Sequence, residues 1–152
     1  MRKINSIELK KELPIGAFLK ISNHLGNFNL NIINEMENIY LLAAGTGITP
    51  MCKLIQSIHQ LSKIEKKPRC VLLLNFNKTR EDIIWKNHLH NLEENKEFTF
   101  KVVHILSQDE NWDGDKGRIR KELLEKYIMK KNDPKKLACI CGPILFNQEG
   151  YR

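Results

Sequence analysis

Two short glycine-containing segments carry the residue types best suited to hold a phosphorylated ligand. The first is residues 45–50, Gly-Thr-Gly-Ile-Thr-Pro, and the second is residues 141–143, Cys-Gly-Pro. Each follows an apolar run that predicts a β-strand. Glycine lets the backbone approach a pyrophosphate closely, and a helix beginning near Pro50 would direct unpaired N–H groups and the positive end of its dipole at that anion. These features indicate a phosphate-binding turn.

Neither segment is decisive by itself. The first is not the G-x-G-x-x-G dinucleotide fingerprint, because Pro50 stands where the third glycine would be, and no G-x-x-x-x-G-K-[ST] P-loop occurs in the chain. A tight turn between a strand and a helix also needs glycine for its geometry alone. A ligand cradle and a simple turn therefore both remain open for this segment.

The elements that must position these segments alternate between strand and helix from residue 39 onward, which is typical of parallel βαβ units. Residues 39–44 form a continuous apolar run, as expected of a central strand covered on both faces. Thr49 is the expected N-cap of the next helix and Pro50 its first residue. We predict an α/β fold: a Rossmann-like parallel sheet flanked by helices.

Further elements follow from the same patterns. The sequence predicts strands at residues 69–76, 98–106 and 137–141, and helices opening at residue 79 and spanning residues 118–131. A capping-box variant over residues 79–82 should start the helix that opens at residue 79. The buried stripe of this helix would consist of Ile83, Ile84, Leu89 and Leu92.

The first 36 residues have a different character. They predict short strands at residues 17–21 and 25–30, and so small a piece is marginally stable alone. We therefore expect two parts: residues 1–36, the end of another unit, and residues 37–152, a nucleotide-binding domain.

Composition narrows the function classes. The chain has 25 basic and 18 acidic residues, a net charge of +7, but 19 of the basic residues are Lys and only six are Arg. Since Arg makes the forked contacts to phosphates and bases, this balance does not favour nucleic-acid binding. No run approaches the ~20 apolar residues of a membrane span, so no transmembrane segment is expected in this chain. Four cysteines without CxxC spacing predict buried free thiols and no metal site: Cys52, Cys70, Cys139 and Cys141.

The two glycine segments together resemble a known family. Ala43 to Met51 (AAGTGITPM) and CGP at residues 141–143 resemble the pyridine-nucleotide domain of the ferredoxin–NADP reductase superfamily, in its cytochrome b5 reductase branch. Residues 77–85 and the W-x-G-x-x-G pattern at residues 112–117 are similar to that branch too. The residues of these motifs are most similar to those in the reductase domain of fused cytochrome b5/b5 reductase proteins. The resemblance covers residues 13–152.

The resemblance assigns the first part of the chain as well. Residues 1–36 look like the C-terminal remnant of the family's antiparallel FAD-binding β-barrel. The family's Arg-x-Tyr-[Ser/Thr] flavin motif is missing, and the chain stops before the family's last helix. The expectation is the interior of a reductase, cut at both ends.

The resemblance also implies roles for individual residues. In the family, NAD(P)H passes hydride to FAD, and electrons then go singly to a haem protein. Thr49, unless it is only an N-cap, and Cys141 would border the nicotinamide, with Cys141 not acting as a covalent nucleophile. Asp82 would lie near the adenosine ribose, although helix-dipole stabilisation could equally explain it. The residues expected to bind the cofactor are Gly45, Thr46, Gly47, Ile48, Pro50, Asp82, Gly142 and Pro143.

The implied cofactors are NADH, with NADPH possible, and FAD in the full-length parent. The implied partner is a haem protein of cytochrome b5 type, fused or separate. The expected location is the cytoplasm, or the cytoplasmic face of the endoplasmic reticulum through the parent protein. The alternative is a nucleotide-binding module, or an inactive fragment without flavin chemistry of its own.

Overall fold

Four parallel strands form one sheet in the computed structural model, which describes residues 16, 18, 29–95, 98–128 and 134–151. The strands are β1 (Asn38–Ala44), β2 (Cys70–Asn77), β3 (Phe100–Leu106) and β4 (Lys136–Cys141). Their order across the sheet is β3-β2-β1-β4, and every neighbouring pair is parallel. The predicted Rossmann-like α/β fold is confirmed.

Helices cover both faces of this sheet. They are α1 (Ile48–Glu65), α2 (Lys86–Glu93), α3 (Lys121–Tyr127) and α4 (Ile144–Gly150). Alternate strand residues point to opposite faces, so the core divides into two layers. One layer packs against α1 and α2, with Leu41, Leu73, Val102, Ile55 and Leu89 in its centre. The other packs against α3 and α4, with Leu42, Leu74, Ile105, Leu123 and Phe146 among its members.

A buried arginine attaches the segment that precedes β1. Residues Leu30–Glu35 form a 3-10 helix, and Ile33 of this helix is fully buried in the first core layer. Arg69, itself buried, donates from Nε to the Ile33 carbonyl at 3.3 Å and pairs with the carboxylate of Glu65. Of the predicted strands at residues 17–21 and 25–30, the structure describes only residues 18, 29 and 30. Residues 18 and 29 have no regular structure and Leu30 is helical, so none of the three is in a strand.

Helix boundaries differ from the prediction in several places. Helix α1 begins at Ile48, directly after a 3-10 turn at Gly45–Gly47, so Thr49 is not its N-cap and Pro50 is its third residue. The predicted helix from residue 79 is a 3-10 turn, Arg80–Asp82, which Trp85 at φ 56° separates from α2. Ile84 is consequently exposed.

The remaining differences concern element ends and thiols. Strand β3 starts two residues later than predicted, and α3 runs from residue 121 to 127, with residues 129–133 outside the described part. All four cysteines are free, as expected, but Cys70 is exposed and the other three are only half-buried.

A chain of polar side chains crosses the first core layer between the strands and α2. Asn77 donates to the Asn75 amide oxygen at 3.2 Å, which turns the amide nitrogen of Asn75 toward His104 Nδ1 at 3.4 Å. With Nδ1 accepting, the proton of a neutral His104 sits on Nε2, which lies 3.3 Å from His90 Nε2. Burial, reinforced by His90 and then Lys86, lowers the pKa of His104 to about 4.

This histidine should make stability depend on pH. Its pKa is lower in the folded chain than its usual 6.5, so below pH 6.5 the unfolded chain binds a proton that the folded chain does not. We expect the free energy of unfolding to fall by roughly 2–3 kcal/mol through His104 alone between pH 7 and pH 4.5. Urea unfolding at several pH values measures it, and His104→Gln should remove that part of the slope.

The matched control is His88→Gln on α2, where the side chain is exposed. Its pH slope should equal that of the wild type. An unchanged slope in the His104→Gln variant would show that the buried imidazole does not control the acid sensitivity.

Candidate functional site

The two glycine segments meet at one edge of the sheet. The chain runs from β1 to β2 and β3 on one side, and then crosses to β4 on the other side of β1. Ala43 pairs with Cys141, so β1 and β4 end side by side. In parallel sheets, ligands bind beyond the carboxyl ends of the strands where the direction of winding reverses, and this is that point.

Gly47 is pressed against the backbone that follows β4. A β-carbon on Gly47 would lie 2.1 Å from the Cys141 carbonyl oxygen and 2.6 Å from its carbon. Main-chain atoms cannot move aside as a side chain can, so this position requires glycine. The contact joins the two segments that the sequence singled out separately.

Gly45 needs glycine for a different reason. Its φ is +56°, in the left-handed region, and nothing lies within 4 Å of the place where a β-carbon would be. The space above the turn is therefore open. The Gly45–Gly47 turn continues into α1, and the Ile48 N–H donates back to the Gly45 and Thr46 carbonyls. The N–H groups that have no acceptor within this helical segment are therefore those of the turn itself.

The other residues of the first segment divide by exposure. Thr46, Thr49 and Pro50 are exposed at the start of α1, where a ligand could reach their side chains. Ile48 is buried in the core layer beneath and its N–H is bonded to the turn, so the structure shows a packing role for it, and contact with a ligand stays a prediction.

The second segment is held from below by α4. A β-carbon on Gly142 would lie 2.7 Å from a ring atom of Phe146 and 2.9 Å from the Ala44 β-carbon. Asn147 donates from its amide nitrogen to the Gly142 carbonyl at 3.1 Å, and Pro143 directly precedes the helix. Sequence reasoning missed Asn147, and a lone Asn one turn into a helix gives no signal of this bond.

Cys139 and Cys141 share one face of β4, because residues two apart in a strand point the same way. Both are half-buried and pack against the first core layer. Burial raises the pKa of the Cys139 thiol, so this cysteine stays protonated at neutral pH. In the described part of the chain, no group of three or more His, Cys, Asp or Glu is arranged to hold a metal ion.

Asp82 lies after β2, the neighbour of β1. Its carboxylate accepts from the Thr79 backbone N–H at 3.0 Å and from the Thr79 hydroxyl at 3.1 Å. The predicted capping box is therefore present and closes the 3-10 turn. The capping function of Asp82 is thus seen directly, while contact with a ribose stays a prediction.

A pair of charged residues that sequence reasoning did not connect lies next to Asp82. Arg80, from the loop after β2, contacts Asp109, from the loop after β3, with Nε 2.7 Å from Oδ2. The two loops border a cleft of about 430 Å³. Both loops leave the same sheet edge, so their proximity could have been predicted, but not which charges pair.

None of the helices described here has the length and apolar character that crossing a bilayer requires.

Comparisons with known proteins agree with this geometry. The chain is 40% identical to cytochrome b5 reductase 4 of Homo sapiens over 142 residues, which cover 92% of the chain and 26% of that protein. It is 37% identical to NADH-cytochrome b5 reductase 2 of Aspergillus oryzae over 111 residues, 72% of the chain and 33% of that protein. The chain thus spans only about a quarter to a third of the length of these relatives.

A solved structure and a family model extend the agreement. The structure of the CS-b5R domains of human Ncb5or in its NAD+ form superposes with a TM-score of 0.84 at 38% identity, covering 99% of the chain and 41% of that structure. The resemblance to the cytochrome b5 reductase branch is confirmed. Residues 41–149 match the model of the oxidoreductase NAD-binding domain, and they include both glycine segments. The chain therefore belongs to the oxidoreductase NAD-binding domain family.

Proposed function

We propose that this chain is the NAD(P)H-binding portion of a flavin-dependent oxidoreductase of cytochrome b5 reductase type. The observation that carries the proposal is the contact of Gly47 with the Cys141 backbone, which builds one ligand surface from the ends of β1 and β4. Membership of the NAD-binding family and the names of the relatives support the same conclusion.

The glycine turn fits a pyrophosphate. Gly45 leaves open space above the turn, and the unpaired amides of the turn and the positive dipole of α1 stabilise negative charge there. Thr46 adds an exposed hydroxyl beside them. In this proposal the turn holds the phosphates, while Ile48, whose N–H is bonded to the turn, and Pro50 shape the first turn of α1 beside them.

The nicotinamide would lie between the two segments. Thr49 borders it from α1, and Cys141, Gly142 and Pro143 border it from the end of β4. Asn147 keeps the Gly142 carbonyl fixed, which makes this wall of the site rigid. What these residues supply is position, because the bound dinucleotide supplies the hydride that would go to FAD and onward as single electrons to a cytochrome b5-type haem.

The adenosine end would lie toward β2, near Asp82. A carboxylate near the ribose favours free 2′- and 3′-hydroxyls and repels a 2′-phosphate, so NADH is the preferred cofactor in this proposal. NADPH remains the second choice.

The rest of the protein is proposed on the same basis. Residues 1–36 would end a flavin-binding barrel, and the haem partner would be fused or separate. We place the protein in the cytoplasm, or on the cytoplasmic face of the endoplasmic reticulum. Its four free cysteines support a reducing compartment. The alternative, a nucleotide-binding module without flavin chemistry, predicts no NADH-dependent ferricyanide reduction by the full-length gene product.

The proposal predicts that the 152-residue chain binds ADP-ribose. Thr46→Glu should weaken this binding at least ~10-fold, because it places a carboxylate where the phosphates would sit. Thr46 is exposed, and a negative charge at a helix start is favourable, so the variant should fold as well as the wild type. Isothermal titration calorimetry measures the affinity.

The control for this experiment is Gln60→Glu, which makes the same change of charge at an exposed position far along α1. It should bind ADP-ribose like the wild type. No binding of ADP-ribose at millimolar concentration by the folded wild type would refute the proposed function.

The contact between Gly47 and the Cys141 main chain predicts that substituting Gly47 destabilises the fold more than substituting Gly45 in the same turn. Gly47→Ala should lower the free energy of unfolding by about 3 kcal/mol, because its β-carbon collides with the main chain of Cys141. Gly45→Ala has free space and should cost only the left-handed conformation, about 1–2 kcal/mol. Denaturant unfolding of both variants measures the two losses of unfolding free energy. An equal or smaller loss for Gly47→Ala would contradict the close contact between Gly47 and the Cys141 main chain.

A further inference from the structure

The cleft at the ends of β2 and β3 has an unusual charge balance for a chain of net charge +7. It is lined by residues 79–81 and 108–111. Three of these are carboxylates, Glu81, Asp109 and Glu110, and the one cation among the lining residues is Arg80. The cleft is shallow and open to solvent, with a volume of about 430 Å³.

Arg80 is held by partners on several sides. Asp109 accepts from Nε at 2.7 Å and from Nη2 at 3.3 Å, the two-pronged geometry of a strong ion pair. The Asn111 carbonyl accepts from Nη2 at 3.2 Å, and the guanidinium carbon lies 5.8 Å from the centre of the Trp112 ring. The hydrogen bond from Arg80 holds the pKa of Asp109 below its usual value, so the pair stays charged at neutral pH.

The cleft lies on the β2 side of the glycine turn, where the proposed function puts the adenosine end of the dinucleotide. Neighbouring strands are ~4.8 Å apart, so the ends of β2 and β3 are roughly 5 and 10 Å from the end of β1. The loop after β2 carries both Asp82 and Arg80. A ribose bound on this side of the turn would face the loops that hold the Arg80–Asp109 pair.

A phosphate and a carboxylate compete for the same face of a guanidinium. Arg is the residue that accommodates a 2′-phosphate in dinucleotide sites, and it does so with the fork that here grips Asp109. The Asp109 carboxylate already accepts from Nε and Nη2, the side of the Arg80 guanidinium that a phosphate could otherwise bind.

We propose that Asp109 is a specificity-determining residue, which favours NADH over NADPH by keeping Arg80 from the 2′-phosphate. The inference rests on the proposed function, since it concerns the same dinucleotide. It concerns a different carboxylate from Asp82, which is bonded to Thr79, so the two effects on the NADH preference would add. Removing the charge of Asp109 releases the guanidinium and also lowers the repulsion that a phosphate would meet.

The test is calorimetric titration of the 152-residue chain with ADP-ribose and with 2′-phospho-ADP-ribose. Asp109→Asn keeps an oxygen that can accept from the Asn111 N–H, as Asp109 does at 3.1 Å, so the loop keeps its turn. We expect the affinity ratio of the two ligands to shift about tenfold toward the phosphorylated one, as for a hydrogen bond to a charged group.

Two further variants separate the mechanism from a general change of charge. Asp113→Asn makes the same charge change in the same loop, and among the described contacts Asp113 acts on Arg80 through its charge and not through a hydrogen bond. It should shift the ratio far less. In the Arg80→Gln background, Asp109→Asn should lose its effect, because the two residues act as a pair.

The outcomes distinguish the inference from the proposed function. If the folded wild type binds ADP-ribose but Asp109→Asn leaves the ratio unchanged, the inference is wrong and the proposed function stands. Equal shifts in Asp109→Asn and Asp113→Asn, or a full shift without Arg80, would also overturn it. If the wild type binds neither ligand, both fail together.

Discussion

The close approach of the Gly47 backbone to the Cys141 carbonyl is the constraint on which the ligand-facing edge depends. It sets the distance between the end of β1 and the end of β4, and it fixes the start of α1 relative to both. The positive end of the α1 dipole then points at a surface shared by two strands. Because the contact is between main-chain atoms, the arrangement tolerates variation in the neighbouring side chains but not in this glycine.

Much of the fold could be predicted because its signals are local. The apolar run of residues 39–44 has no alternation, which indicates a strand covered on both faces, and β1 is such a strand. The capping box of Thr79 and Asp82 is also visible in four consecutive residues. The first residues of helices are harder to predict from sequence. Thr49 has a residue type that favours an N-cap, but the 3-10 turn at Gly45–Gly47 makes the helix begin before it.

The parts that could not be predicted depend on pairs distant in sequence. Arg80 and Asp109 are 29 residues apart, and Asn75 and His104 are also 29 apart. Their contacts follow from the register of β2 against β3, which pairs Asn75 with His104. Composition was equally uninformative here: the net charge of +7 does not indicate a cleft whose charged lining residues are three carboxylates and one cation.

The buried guanidinium of Arg69 has a mechanical consequence. It fastens the segment of Ile33 at the amino end of the sheet, while the glycine turn lies beyond the carboxyl end. The seven residues of β1 separate the two by roughly 23 Å. A neighbouring domain joined through this segment would be anchored at the end of the sheet farthest from the glycine turn. It would have to extend along the length of β1 to contact a ligand bound at that turn.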